Sequence, residues 1–449
     1  MQSSTIWLQN TESMVQKMRK MKDSGIEWIG EIPEGWEIAK LKNIASIVRG
    51  GSPRPIEAYM SDNDNDVNWI RISDTEKGSK YITHTSRKLI ASGISKSRFI
   101  KRGSLILTNS MSFGEPYILD IDGCIHDGWV AFSDFKKIDK EFLYYFLTSP
   151  LAKIQFEQQV DGGVVKNLNI DKIGDTVILL PSLIDQNKII AHLDSLTSET
   201  NSLLSKTITS IEEYKKLKQS VITQAVTKGV RGEREMKDSG VDWIGEIPKE
   251  WSTPKIKRLH NGLTDGTHGT FNRIDSGHIL LSSKNVREFG IQLGENESFI
   301  SEADYNLITA NGFPQKDDVL LCCIGASIGR CTLYEFEEAM AFQRSVIFIR
   351  CNSLILPRMM MYDLRSSNTL LQEQLLVNQS AQAGLYQGLV SEIFISLPPI
   401  SEQKEIIAYL DAKCAEIDKL IAKKEQLVKE LESYKKSLIY EVVTGKREV

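Results

Sequence analysis

The sequence predicts an α+β protein made of one module used twice: two mixed α/β domains and two long helices, the helices pairing as an antiparallel coiled coil in a pseudo-two-fold internal repeat. Three observations carry this. Met21–Trp36 reads MKDSGIEWIGEIPEGW and Met236–Trp251 reads MKDSGVDWIGEIPKEW, with twelve of sixteen positions identical at an offset of 215. Gln186–Ser195 (QNKIIAHLDS) matches Gln403–Ala412 (QKEIIAYLDA) at an offset of 217. Each of these second matches follows proline and opens a long proline-free stretch, running to about Thr227 and about Thr444. Self-similarity at a fixed spacing marks a repeated structural unit.

In chain order, residues 1–20 precede the first repeat and carry no assigned role. Residues 21–180 form the first domain, 181–232 the first long helix, 233–397 the second domain and 398–449 the second long helix. Short apolar runs predict strands at Trp69-Ile70-Arg71-Ile72, Leu105–Thr108, Trp129–Phe132, Val319–Cys322 and Val346–Ile349. Helical patterns follow at Lys140–Thr148 and Pro357–Leu376. In the second long helix, steps of three and four from Ile417 give Leu420, Lys424, Leu427, Leu431, Tyr434 and Leu438 as a seam. The same register in the first gives Thr200, Leu203, Thr207, Ser210, Tyr214, Leu217 and Val221. Glycine stops both helices, in Thr227-Lys228-Gly229 and Thr444-Gly445-Lys446. At 1.5 Å per residue, each helix is roughly 65 Å long.

Composition narrows the function. Hydrophobic content of 41% and charged content of 25% describe an ordinary globular chain. No apolar run reaches the roughly 18 residues of a membrane span, and the first twenty residues do not read as a secretory signal, so a cytoplasmic protein is expected. A net charge of −4 argues against a non-specific nucleic-acid coat, though not against a reader with local basic patches. Six cysteines without C-x-x-C spacing predict neither zinc site nor disulfide framework, and Cys322 and Cys323 read as small core residues.

The usual catalytic signatures are absent from the sequence. There is no phosphate loop, no dinucleotide fingerprint, no H-E-x-x-H, and no Asn/Asp-Pro-Pro-aromatic tetrad of amino-methyltransferases. Thr264-Asp265-Gly266-Thr267-His268 has the look of a metal or catalytic loop but lacks a second ligand set. No catalytic residue and no metal site are therefore predicted, and no cofactor is expected in this chain.

The two copies differ most in their middles. Thr108–Gly114 stands against Ile324–Arg330, and His126-Asp127-Gly128-Trp129 against Gln343-Arg344-Ser345-Val346. A shared framework carrying different polar loops is what two readers of different targets need.

Taken together, these features resemble the specificity subunit of type I restriction–modification systems. The residues that carry the resemblance are the repeated SGxxWIGxIPxxW segment, Gly50-Gly51-Ser52-Pro53, Trp69–Asp74, Thr264–His268, Gly325–Arg330, Gln343-Arg344, the LPPxxEQxxIIAxLD helix start, and the helix ends. The resemblance covers essentially all of the chain after residue 20. It implies two target-recognition domains, each reading one half of a bipartite double-stranded DNA site, and spacer helices that set the unread gap. It implies docking of two methyltransferase subunits, which use S-adenosylmethionine to methylate adenine at N6. It also implies two restriction subunits that use ATP and Mg²⁺, with no membrane partner. A pure protein scaffold, or an inactive chain that binds the same subunits, is the alternative. Reading bases needs Arg or Lys toward guanine and Asn or Gln toward adenine, with polar anchors on phosphate. The candidates are Arg49, Arg54, Arg71, Asn109, Ser110, Ser112 and His126 in the first domain. In the second they are Thr264, Asp265, His268, Arg273, Lys284, Ser327, Arg330, Gln343 and Arg344.

Overall fold

The computed structural model describes residues 19–76, 78–110, 113–159, 168–310, 312–378 and 384–449. The chain divides into two compact units, one reaching Thr207 and adding Gln426–Val449, the other spanning Ile208–Glu425. The two long helices, Leu183–Lys228 and Ile400–Val443, each contribute to both units.

In the first unit two five-stranded sheets form the body. One runs Ser46–Arg49, Trp129–Ser133, Leu105–Thr108, Pro116–Leu119, Tyr81–Ile82; the other runs Met60–Ser61, Lys88–Leu89, Val67–Ile70, Gly123–Ile125, Arg98–Ile100. The second unit keeps the core of the first sheet as four strands, His260–Asp265, Val346–Cys351, Val319–Cys322, Cys331–Leu333. The expected strand at Trp69–Ile72 ends at Ile70, because Ile72–Asp74 turns into a 3-10 segment that Asp74 holds by accepting from the Arg71 N–H at 2.9 Å. The helix expected over Pro357–Leu376 is broken into Pro357–Leu364 and Ser367–Asn378. At the break Ser366 Oγ accepts from the Thr369 N–H at 3.2 Å, and Asp363 takes the Thr369 hydroxyl at 2.8 Å. Side-chain acceptors of this kind start a new helix.

The repeat extends through the middles as matching backbone hydrogen bonds. Asn109 N–H donates to Gly128 O at 3.0 Å and Cys323 N–H to Ser345 O at 3.0 Å. Leu168 N–H donates to Asn109 O at 2.9 Å and Leu385 N–H to Cys323 O at 2.8 Å. Gly114 and Gly329, at φ +82° and +84°, both donate back to the residue ending the preceding strand, Thr108 and Cys322. Positive φ is cheap for glycine alone.

Helix ends seal the leading hairpins crosswise. In the first unit Leu438, Ile439, Val442 and Val443 pack with Ile29, Ile32 and Trp36. In the second, Ile222, Ala225 and Val226 pack with Val241, Ile244, Ile247 and Trp251. The end of the first helix thus closes the second copy, and the end of the second helix closes the first.

Within each unit the helices run antiparallel. In the second unit Lys218 Nζ meets both Asp418 carboxylate oxygens at 2.8 Å, and Lys424 sits 5.7 Å from the Tyr214 ring. Partner numbers fall as helix numbers rise. In the first unit Lys435 Nζ donates to Asn201 Oδ1 at 2.7 Å. Lys218 and Lys435 are matched positions, as are Asn201 and Asp418, so one polar seam pair occurs twice with carboxylate exchanged for amide. Burial beside the neutral amide lowers the Lys435 pKa.

The seam itself corrects the sequence reading. Thr200, Thr207, Ile417 and Leu438 are buried as expected, but Leu203, Leu217, Leu427 and Tyr434 are exposed. The inward positions between are Leu204, Ile211 and Lys218, and Ile421, Val428 and Lys435. The heptad spacing holds, but its alternate steps are four then three rather than three then four. Residue size pointed to Leu427 and Tyr434; packing geometry turned them outward and took the lysines in.

Candidate nucleic-acid interface

Each candidate face is built where two strands of the main sheet end together. In the first unit Arg49 pairs with Val130 across the sheet, and in the second Asp265 pairs with Ile347. The next residues, Gly50 and Gly266, are matched. A Cβ at Gly50 would overlap the carbonyl oxygens of His126 and Ile125, and one at Gly266 those of Gln343 and Phe342. Only glycine lets the chains approach this closely. The approach sets His126-Asp127 beside Arg49 in one unit and Gln343-Arg344 beside Asp265 in the other. The charges are therefore exchanged on one framework: Arg49 and Asp127 against Asp265 and Arg344.

In the first unit Arg54, Arg71 and His126 share a cleft of about 1130 Å³ with Ser52, Glu57, Trp69 and Arg87. Asp127 braces residues that line it. It accepts from Ser52 Oγ at 2.7 Å, its carbonyl takes Arg49 Nε at 2.9 Å, and Arg54 stands 3.8 Å from its carboxylate. The Ser52 hydrogen bond holds the Asp127 carboxyl below its ordinary pKa. His126 is pushed down by burial, and its Nδ1 accepts from the Gly128 N–H at 2.8 Å, so the ring is neutral near pH 7. Arg71 reaches Asp74 at 3.4 Å. Burial works to raise the Asp74 pKa, but hydrogen bonds from Ser86 and from the backbone at Arg71 and Ser86 outweigh it.

Asn109 is placed differently: it is buried, and its Oδ1 has no hydrogen-bond partner among the described residues. Ser110 is half-buried, in the space that glycine at 128 leaves open. Ser112 lies outside the described residues.

In the second unit Asp265, His268, Gln343 and Arg344 come together. Asp265 Oδ2 meets His268 Nε2 at 2.7 Å, and Thr267 bridges to Gln343. Arg344 and Thr264 are exposed. Arg273 is exposed too. Lys284 is engaged elsewhere, 2.9 Å from Glu297 and donating to Asn296 O at 3.2 Å. Ser327 closes its own turn by donating to Ile324 O at 3.0 Å. Arg330 donates to Ser283 O at 3.3 Å and lines a cavity of about 540 Å³ with Lys218 and Phe289.

Sequence reasoning did not select Arg87 or Gln387. Arg87 lines the first cleft, and the run Thr85-Ser86-Arg87-Lys88 was the signal available. Gln387 donates to Asp265 Oδ1 at 2.5 Å across a separation of 122 residues, which no local pattern reveals. Among the described residues no group of three or more His, Cys, Asp or Glu gathers as a metal site, and no helix is long and apolar enough to cross a membrane.

Comparison with known families decides what this framework belongs to. The model of the type I restriction modification DNA specificity domain matches residues 33–213 and 281–430. The chain belongs to this family. It is the DNA-specificity subunit of a type I restriction–modification system, a non-catalytic family of subunits. Among its relatives is the type I restriction enzyme MjaVIII specificity subunit of Methanocaldococcus jannaschii, 26% identical over 433 residues, 92% of this chain and 93% of that one. The EcoBI specificity subunit of Escherichia coli is 22% identical over 436 residues, 92% and 88% of the two chains. A chain from a structure of type I R-M complex assembly and conformational transition shares the fold. Its TM-score is 0.67 at 17% identity, covering 93% of this subunit and 99% of the other.

Proposed function

We propose that each unit of this specificity subunit reads one half of a bipartite, asymmetric DNA site, while the long helices set the unread spacer and dock the catalytic subunits. The observation that carries the reading is the exchange of charge on a common frame, Arg49 and Asp127 in one unit against Asp265 and Arg344 in the other. One backbone scaffold then offers two different donor–acceptor patterns to base edges, which makes the whole site asymmetric.

In the second unit Gln343 and Arg344 are the base-reading pair, the amide suited to adenine and the guanidinium to guanine. Thr264, His268 and Arg273 serve as flanking or phosphate contacts. In the first unit Arg54, Arg71, Arg87 and His126 supply the cleft, with Arg49 and Ser110 as further contacts; Ser112, outside the described residues, is assigned to DNA contact by residue type alone. Asn109, Lys284, Ser327 and Arg330 support the loops that present these groups. The partners on this reading are double-stranded DNA, two methyltransferase subunits that use S-adenosylmethionine for adenine-N6 methylation, and two restriction subunits that use ATP and Mg²⁺. The assembly acts in the cytoplasm.

Methylation-sensitive sequencing of DNA modified by this chain with its cognate methyltransferase subunits tests the proposal. A split adenine motif with a fixed gap is expected. A continuous motif would overturn it.

A further inference from the structure

The loop after each matched glycine is fastened to a carboxylate, and the two units draw that carboxylate from different places. Backbone hydrogen bonds fix the match: Gly51 N–H donates to Ile125 O at 3.1 Å and Thr267 N–H to Phe342 O at 2.7 Å. Ser52 and His268, one residue further on, are therefore equivalent. Ser52 Oγ donates to Asp127 Oδ1 at 2.7 Å, a carboxylate on the loop that enters Trp129–Ser133. His268 Nε2 lies 2.7 Å from Asp265 Oδ2, a carboxylate at the end of the strand that leads into its own loop.

Asp265 is braced from a third segment. Its Oδ1 accepts from Gln387 Nε2 at 2.5 Å, so both carboxylate oxygens are engaged, and the side chain is only 17% exposed. Leu385 and Leu168 make matched backbone hydrogen bonds, to Cys323 O and Asn109 O, which makes Ile170 the counterpart of Gln387. Arg49 is the counterpart of Asp265. Asp265 and Gln387 thus replace Arg49 and Ile170 as a pair, and neither new residue could make this hydrogen bond with the other's counterpart.

A carboxylate turned inward with both oxygens committed is poorly placed to read a base. It sets the ring of His268 instead, whose side chain is 61% exposed. A carboxylate only accepts, so Nε2 carries the hydrogen and Nδ1 is the ring nitrogen left to a ligand. The pair has no net positive charge whether the ring is neutral or protonated, so it offers phosphate little attraction. In the neutral ring Nδ1 is an acceptor, which complements the exocyclic amines that adenine and cytosine present in the major groove.

We propose that Gln387 and Asp265 are positioning residues that aim His268 Nδ1 at the exocyclic amine of an adenine or cytosine in the second half-site. On the DNA-reading proposal, on which this rests, His268 touches a base edge and Asp265 touches none. Gln387 is then a determinant of specificity that contacts no DNA.

The test is competition binding by the full chain with its methyltransferase subunits. The probes are duplexes carrying the split motif found by methylation sequencing, with each base pair substituted in turn. His268→Ala should lower discrimination about ten-fold at one base pair of the second half-site and leave the first half-site unchanged. Gln387→Ile, which installs the first unit's residue, should lower it at that same base pair. The double variant should lose no more than His268→Ala alone, because the two residues act through one contact. Asp265→Asn should keep the preference, since its amide oxygen accepts from His268 and its NH₂ donates to Gln387 Oε1 once that amide turns over. Gln387→Glu, which sets two carboxylates together, should lose it. A merely structural role for Gln387 would lower the melting temperature and weaken all sequences alike. That result, unchanged discrimination in Gln387→Ile, additive losses in the double variant, or a new base preference in Asp265→Asn overturns the positioning role and leaves the two-half-site reading standing. A parent complex with no split motif overturns both.

Discussion

Replacing Gln403 with alanine should unfasten the second long helix from the domain before it. Gln403 is fully buried. Its Oε1 accepts from the Leu356 N–H at 2.8 Å, and its Nε2 donates to Leu354 O and Pro398 O, each at 2.9 Å. Gln186 repeats the arrangement at the first helix, accepting from the Asp139 N–H at 2.7 Å and donating to Lys137 O and Pro181 O at 2.9 Å. Three hydrogen bonds at a net ~1 kcal/mol each give a loss of about 3 kcal/mol per site. Stranding a buried N–H pushes the loss upward. That is a large share of the roughly 5–15 kcal/mol that holds a domain together. Guanidinium unfolding followed by circular dichroism measures the total. Amide exchange read by mass spectrometry localises it: Gln403→Ala should speed exchange at Leu354–Leu356 and leave Lys137–Asp139 alone, with Gln186→Ala giving the converse. A loss under about 1 kcal/mol, or exchange that rises equally in both units, would refute the idea that these glutamines fasten helix to domain one unit at a time.

Gly50→Ala should abolish reading of one half-site and Gly266→Ala the other, because each Cβ meets backbone carbonyls; methylation sequencing of each variant complex, with the untouched half-site still specified, checks this. Arg344→Ala should relax one base pair of the second half-site by ~1–3 kcal/mol, whereas Arg273→Ala should weaken all sequences alike and lower the salt slope by about one; competition binding over a base-substituted panel separates the two. Burial raises Glu373 to a pKa of about 8 and Asp363 to about 7, at positions matched by Phe156 and Phe146 in the first unit. The folded form therefore holds protons that the unfolded form releases, so stability falls as pH rises from the ordinary carboxylate range toward 8. Glu373→Gln should stabilise the chain at pH 8 with little effect at pH 4, read from melts across that range. A heptad added to both long helices, at Ser210 and at the matched Leu427, should lengthen the unread spacer and leave both half-site sequences unchanged, as methylation sequencing would report.

Much of the candidate site was legible as residue type and little of it as arrangement. Arg54, Arg71 and His126 stand out in the sequence as polar side chains near glycine, and they share a cleft. Asn109 stands out on the same ground and is buried, because it directly follows the central strand Leu105–Thr108 and its N–H is still tied to Gly128 O. Lys284 looked free in sequence, but Glu297, thirteen residues on, pairs with it.

By itself the sequence determined the repeat, the two long helices with their proline and glycine boundaries, and the central strands, since these follow from local propensity and periodicity. It also showed where the copies differ. Only the tertiary structure decided which face of each helix turns inward, because Leu427 and Val428 satisfy a heptad equally well until a neighbour packs against one of them. Packing likewise matched Lys218 with Lys435 and Asn201 with Asp418, and brought Gln387 to Asp265. Contacts between residues far apart in the chain depend on three-dimensional packing, and a one-dimensional pattern does not contain them.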